Sequence, residues 1–125
     1  MSETKALPST KLHDYSQLFK ALAEETRLKM IGVLEDRELC VCDFMEVLDL
    51  VQSTASRHLA YLKHSGWVVG RREGKWMYYR LHPNATIDPL QRAIIDEISG
   101  LTEIQAIRST LAIYLAQKSE KNHCS

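Results

Sequence analysis

The sequence predicts a mainly α-helical fold carrying a β-hairpin, a winged helix-turn-helix that dimerises through its N- and C-terminal helices. Three observations predict it. Four segments of helical period precede residue 65, the last two separated by only a tight turn. Two runs rich in β-branched and aromatic residues then flank the turn-like triplet Glu73-Gly74-Lys75. A long apolar stripe of helical period follows. A chain of 125 residues can bury one core and not two. The expected organisation is a single domain over residues 13–117, with flexible tails at 1–12 and 118–125.

The first helix is read from Tyr15, Leu18, Phe19 and Leu22, spaced i, i+3, i+4, i+7. Leu28, Ile31 and Leu34 mark a second, after the acidic Glu24-Glu25 pair that suits a helix start. Val41, Phe44, Met45 and Leu48 mark a short third helix. Val51, Ala55, Leu59 and Leu62 mark a fourth, ended at Ser65-Gly66, where glycine can take a left-handed cap. The hairpin is W-V-V-G-R-R paired with W-M-Y-Y-R-L-H, broken by His82-Pro83-Asn84. Asp88-Pro89 has the form of an N-cap followed by proline at the first helical position. From there Leu90, Ile94, Ile98, Leu101, Ile104, Ile107, Leu111 and Leu115 form the long stripe. A break is expected at Ser99-Gly100, with a restart through a Thr102–Gln105 capping box. The stripe is longer than a filled monomer core needs. Part of it, with the Tyr15–Leu22 face, is therefore expected to join a second copy of the chain.

Net charge is zero, but its distribution is uneven. Residues 1–50 hold six Lys and Arg against ten Asp and Glu, and residues 83–125 hold four against five. Residues 51–82 hold Arg57, Lys63, Arg71, Arg72, Lys75 and Arg80 against Glu73 alone. One basic block in an otherwise acidic chain is what a phosphate-facing surface needs. The outward face of the fourth helix carries Ser53 and Arg57, with Ser56 at its edge and Gln52 and Thr54 in the first turn. Small hydroxyl residues allow close approach to a groove floor. Arg57 can serve a guanine edge or a phosphate. Arg71, Arg72 and Lys75 fall at the hairpin tip, where a wing would lie along the neighbouring minor groove. Double-stranded operator DNA is the expected partner, with DNA contacts at Gln52, Ser53, Thr54, Ser56, Arg57, Arg71, Arg72 and Lys75. Trp67, Trp76, Tyr78 and Tyr79 are expected to pack the hairpin on the helices rather than to stack on bases, and His58 to be structural.

No apolar run approaches the ~18 residues of a membrane helix. M-S-E-T-K-A-L-P-S-T has no apolar signal core, and three cysteines show no disulfide-framework spacing. A cytoplasmic protein without a membrane partner is expected.

The stretch L-F-K-A-L-A-E-E-T-R-L, then E-L-C-V-C-D-F, Q-S-T-A-S-R-H-L-A-Y-L-K-H-S-G and R-R-E-G-K-W-M-Y-Y-R-L resembles the ArsR/SmtB family of metal-sensing repressors, and most its arsenite-responsive branch. The resemblance runs from about Leu18 to His82. It implies a homodimer that leaves its operator when a metal or metalloid ion binds, and no catalytic cofactor. A zinc site on the C-terminal helix would need histidine, and residues 88–117 contain none. An N-terminal thiol site would need cysteine, and residues 1–39 contain none. The C-x-C of the third helix remains, as Cys40 and Cys42, with As(III) or Sb(III) as the effector. Where the branch often has a third thiol this chain has Met45, expected in the core. Two thiolates suffice for a monomethyl As(III) species, or for arsenite completed by water or a buffer thiol. Cys124 is either a third sulfur from the tail or idle.

Soft thiolates favour thiophilic ions, and a cysteine in a helix's first turn is expected to have a lowered pKa. Two positions apart on a regular helix, the sulfurs lie about 200° apart around the axis. One ion would then hold both only by unwinding the first turn, and that misfit is the expected switch. An alternative reading keeps the DNA-binding module but makes the signal a thiol redox or persulfide change using Cys40 or Cys42 with Cys124. An enzyme reading lacks support: His58 is the only nearby candidate base, and there is no C-x-x-C motif.

Overall fold

The computed structural model describes residues 11–121. In chain order it comprises α1 (Lys11–Ala21), α2 (Glu25–Leu34), β1 (Leu39–Cys40), α3 (Val41–Leu48), α4 (Gln52–His64), β2 (Val68–Glu73) and β3 (Trp76–Leu81). A 3-10 turn (Pro83–Thr86) then leads to α5 (Pro89–Ser99) and α6 (Thr102–Lys121). The three strands form one antiparallel sheet in the order β1-β3-β2. No helix among the described residues is long and apolar enough to cross a membrane.

The core collects the apolar faces that helical spacing marks out. Leu18 and Ala21 of α1, Met30, Ile31 and Leu34 of α2, Phe44 of α3, and Ala55, Leu59 and Leu62 of α4 are buried together with Trp67, Val68 and Leu111. Apolar burial at about 25 cal/mol per Å² is the main drive holding α4 against this layer. Trp67 is fully buried and its indole N–H donates to the Leu18 carbonyl at 3.0 Å, tying the base of the hairpin to α1. Tyr79 is also buried, while Trp76 and Tyr78 are half-buried on the wing.

The ends of α4 and α5 are set by local chemistry. Gly66, at φ +96°, follows α4, and the Trp67 N–H returns to the Leu62 carbonyl while the Gly66 N–H returns to that of Lys63. This double bond pattern closes the helix and launches β2. Asp88 caps α5 by accepting the Gln91 N–H at 3.0 Å, with Pro89 at the first turn. The wing turns at Gly74-Lys75, between the paired residues Glu73 and Trp76, with Gly74 at φ +63°. A residue with a Cβ is strained at that angle.

Two local details differ from the sequence reading. The strand β1 is not foreseen, because two residues carry no period. The Thr102–Gln105 capping box does not form as expected: Thr102 is already helical, and the Gln105 amide donates to the Ser99 carbonyl at 2.6 Å. The first helix begins at Lys11 and α6 runs to Lys121. Lys118 joins the fold through a part-buried ion pair with Asp43. Residues 1–10 and 122–125, with Cys124 among them, lie outside the described residues.

Candidate functional site

The two cysteines are not both on the helix. Cys40 is the last residue of β1 and the N-cap of α3, with extended backbone at φ −87° and ψ 167°. Cys42 is the second helical residue. The extended N-cap swings the Cys40 side chain over the first turn, and the two Sγ atoms lie 2.8 Å apart. The expected separation of about 200° assumed one regular helix, and the structure overturns it. No unwinding is needed to bring the sulfurs together.

C-V-C-D builds this arrangement as a capping box with a thiol where Ser or Thr is usual. The Cys40 sulfur accepts the Asp43 N–H, and Asp43 Oδ2 accepts the Cys40 N–H at 2.8 Å. Asp43 Oδ1 accepts from Lys118 Nζ of α6 at 2.6 Å, and the same ammonium lies 3.5 Å from Cys40 Sγ. Asp43 and Lys118 are both shielded, with side chains 4% and 15% exposed. Both escape the sequence reading, although an acid three residues after a capping position is a legible signal for the first. Lys118 lies 78 residues from Cys40, and no local pattern could find it.

Burial pushes the Cys40 thiol up from its ordinary pKa, and the Asp43 carboxylate adds to that, while Lys118 opposes it. The lowered pKa expected for a first-turn cysteine does not hold for Cys40. A helix N-terminus favours a thiolate only as far as burial permits.

A cavity of about 420 Å³ opens beside the pair. Cys40, Cys42 and the half-buried Met45 form one wall, Gln52 and Ser56 of α4 another, and Arg72 and Lys75 of the wing a third. Met45 thus packs against the core, as expected, but also faces this cavity. The two sulfurs therefore adjoin the elements on which DNA contacts are expected.

On α4, Gln52, Ser53 and Arg57 are exposed and Thr54 and Ser56 half-buried, opposite the buried Ala55, Leu59 and Leu62. Arg72 and Lys75 are exposed on the wing, the latter with its ammonium 5.2 Å from the Trp76 ring centre. Arg71 differs. Its guanidinium makes a two-pronged contact with Glu38, at 2.9 and 2.7 Å, and another with Glu73 at 2.7 Å. It also lies over the Tyr78 ring at 4.9 Å. Arg71 thus fastens the wing to the segment leading into Cys40. His58 is buried, with Nδ1 3.1 Å from Arg27 Nη1.

Known proteins resemble this chain in sequence and in fold. Residues 24–68 match the family described as "Bacterial regulatory protein, arsR family". The chain is 45% identical to the arsenical resistance operon repressor of Escherichia coli K12, over 87% of this chain and 94% of that protein. It is 42% identical to the arsenic resistance transcriptional regulator ArsR1 of Pseudomonas putida KT2440, over 63% of this chain and 64% of that one. A solution NMR structure from Mycobacterium bovis, described as a homodimeric winged helix-turn-helix DNA-binding domain and a possible ArsR-family regulator, superposes with a TM-score of 0.58. Its identity to this chain is 25%, covering 96% of this chain and 97% of that one.

Proposed function

Because the chain belongs to the arsR family of bacterial regulatory proteins, a family of transcription regulators and not of enzymes, we propose that it is a cytoplasmic, homodimeric repressor released from operator DNA by As(III) or Sb(III) bound at Cys40 and Cys42. The observation that carries this reading is the pair of adjacent sulfurs opening into one cavity with Gln52, Ser56, Arg72 and Lys75. The names of its relatives, arsenical and arsenic resistance regulators, support the metalloid as signal.

The donor set suits the ion. Two soft sulfurs in contact match a thiophilic metalloid, and hard oxygen donors would not. Chelation of arsenite by two thiols forms two As–S bonds and breaks two As–O bonds, and the thiol protons leave in two waters. No thiolate need exist beforehand, so the raised Cys40 pKa is no obstacle.

Release then needs no unwinding of α3. An ion seated between the sulfurs enters the cavity that separates α3 from α4 and the wing. Its bulk and bonds favour a spacing of Ser56 and Arg72 that differs from the DNA-bound one. DNA contacts come from Gln52, Ser53, Thr54, Ser56 and Arg57 in the major groove and from Arg72 and Lys75 on the wing. Arg71, held by two carboxylates, serves more to position the wing than to meet phosphate. Operator DNA must in turn weaken ion binding by the same factor, roughly 5–150-fold for ordinary allosteric coupling.

The test is fluorescence anisotropy of the reduced protein on its own promoter DNA, titrated with arsenite and, in parallel, with Zn(II) and peroxide. Arsenite should release the wild type and Cys124→Ser, and should fail on Cys40→Ser and Cys42→Ser. A response to peroxide alone would favour the redox alternative. A response lost in Cys124→Ser would add a third sulfur to the site.

A further inference from the structure

Cys40 Sγ, Cys42 Sγ and a carboxylate oxygen of Asp43 lie within 4.8 Å of one another. That is the spacing of a three-ligand site for a divalent cation, in which the carboxylate would join the two sulfurs. Both Asp43 oxygens are nevertheless taken, Oδ2 by the Cys40 N–H and Oδ1 by Lys118 Nζ. Lys118 approaches from α6, and its ammonium also reaches toward Cys40 Sγ at 3.5 Å. A positive charge therefore stands beside Cys40 Sγ and holds the one carboxylate within that distance of both sulfurs among the described residues.

We infer that Lys118 is a selectivity residue: its ion pair with Asp43 withholds the oxygen ligand that a thiophilic dication such as Cd(II) or Zn(II) would add to the two sulfurs, whereas a trivalent metalloid hydroxide brings its own remaining oxygen and does not need it. The inference rests on the reading that Cys40 and Cys42 hold the effector. The chemistry of the two ligand classes differs in the way this requires. Arsenite arrives neutral and exchanges two hydroxyl groups for two sulfurs; the hydroxyls leave with the two thiol protons as two waters, and the arsenic keeps its third oxygen. A dication displaces both thiol protons to solvent, which also leaves the site's charge unchanged, but two sulfurs alone leave its coordination short. It gains most from a third anionic donor, which Lys118 holds elsewhere.

The experiment uses the full, reduced, metal-free chain and measures Cd(II) binding by the ultraviolet sulfur-to-cadmium charge-transfer band, and arsenite binding by equilibrium dialysis. Lys118→Met should raise Cd(II) affinity by about tenfold or more, a change of about 1.4 kcal/mol. Arsenite affinity should stay within about threefold, which is less than one such step. Adding Asp43→Asn to Lys118→Met should return Cd(II) affinity toward the wild-type value, since the amide can still cap α3 but is a poor ligand. Lys118→Gln keeps a hydrogen-bond donor for Asp43 and guards against a folding defect; it should raise Cd(II) affinity by a smaller factor. Cd(II) affinity unchanged in Lys118→Gln and Lys118→Met, or a gain that survives Asp43→Asn, overturns the inference. Failure of the underlying reading looks different: Cys40→Ser and Cys42→Ser, with Lys118 intact, would then bind arsenite as the wild type does.

Discussion

The sulfur of Cys40 caps α3 and at the same time forms half of the thiol pair, so a change there is read twice. Cys40→Ser keeps the capping oxygen and removes only the soft donor, which is why serine is the informative substitution. Arg27 and His58 form the other dense polar contact. Arg27 is buried, donates to the Ala21 carbonyl at 2.7 Å, and lies 4.2 Å from the Tyr61 ring centre. Its second nitrogen meets His58 Nδ1, which must then offer a lone pair. Burial first, then Arg57 and Arg27, lower the His58 pKa from 6.5, against a smaller opposing pull from Glu24. The unfolded chain therefore binds a proton below about pH 6.5 that the folded chain refuses. Stability from this site is present above that value and is lost as pH falls toward the folded pKa. Urea unfolding between about pH 7.5 and 5.5 should show stability declining with pH, and His58→Asn should flatten that decline.

Among the elements, α2 passes close to the α5–α6 corner at Gly32. A Cβ on Gly32 would stand 2.9 Å from Ile104 Cγ2 and 3.0 Å from Ile98 Cγ2. The Gly32 carbonyl also accepts from Arg108 Nε at 2.8 Å, so the backbone cannot simply retreat. Gly32→Ala should cost about 1–3 kcal/mol by overpacking, although alanine is the better helix former. Chemical denaturation measures it, and a stabilised variant would show that the helices slide apart freely. The sheet joins β1 to the wing through Cys40 opposite Tyr78 and Leu39 opposite Tyr79. The fork of Arg71 on Glu38 adds a second tie between the same two elements. The thiol site and the wing are thus one mechanical unit, a relation that a helix-only reading of E-L-C-V-C-D-F misses.

At the scale of the molecule, α1 divides its apolar residues between two directions. Leu18 and Ala21 enter the core, while Leu12 and Phe19 are 81% and 48% exposed, with Tyr15 stacked on Phe19 at 6.2 Å between ring centres. Leu12, Tyr15 and Phe19 fall on one face at helical spacing. An apolar stripe left outside a filled core is what a dimer would cover. Leu12→Asp with Phe19→Asp should leave the monomer folded, shift sedimentation toward the monomer mass, and weaken operator binding by about tenfold or more through loss of the second half-site. A variant that still sediments as a dimer would move the interface elsewhere.

Local pattern was enough for the helices, read from period, for the hairpin, read from β-branched and aromatic runs around a turn, and for the outward face of α4, read from period and charge together. The Ser65-Gly66 and Asp88-Pro89 boundaries were legible for the same reason: backbone conformation and capping are settled within four or five residues. The identity of the thiol pair was also in the sequence, but its geometry was not. Whether Cys40 belongs to a helix or ends a strand depends on Tyr78, which pairs with it across the sheet from far along the chain. Asp43 could have been read as a cap, whereas its ion pair with Lys118 arises only when α6 folds back over α3. Local sequence determined which donors exist. Tertiary packing decided which of them meet, because burial and long-range pairing set both the distance between two side chains and the charge each can carry there.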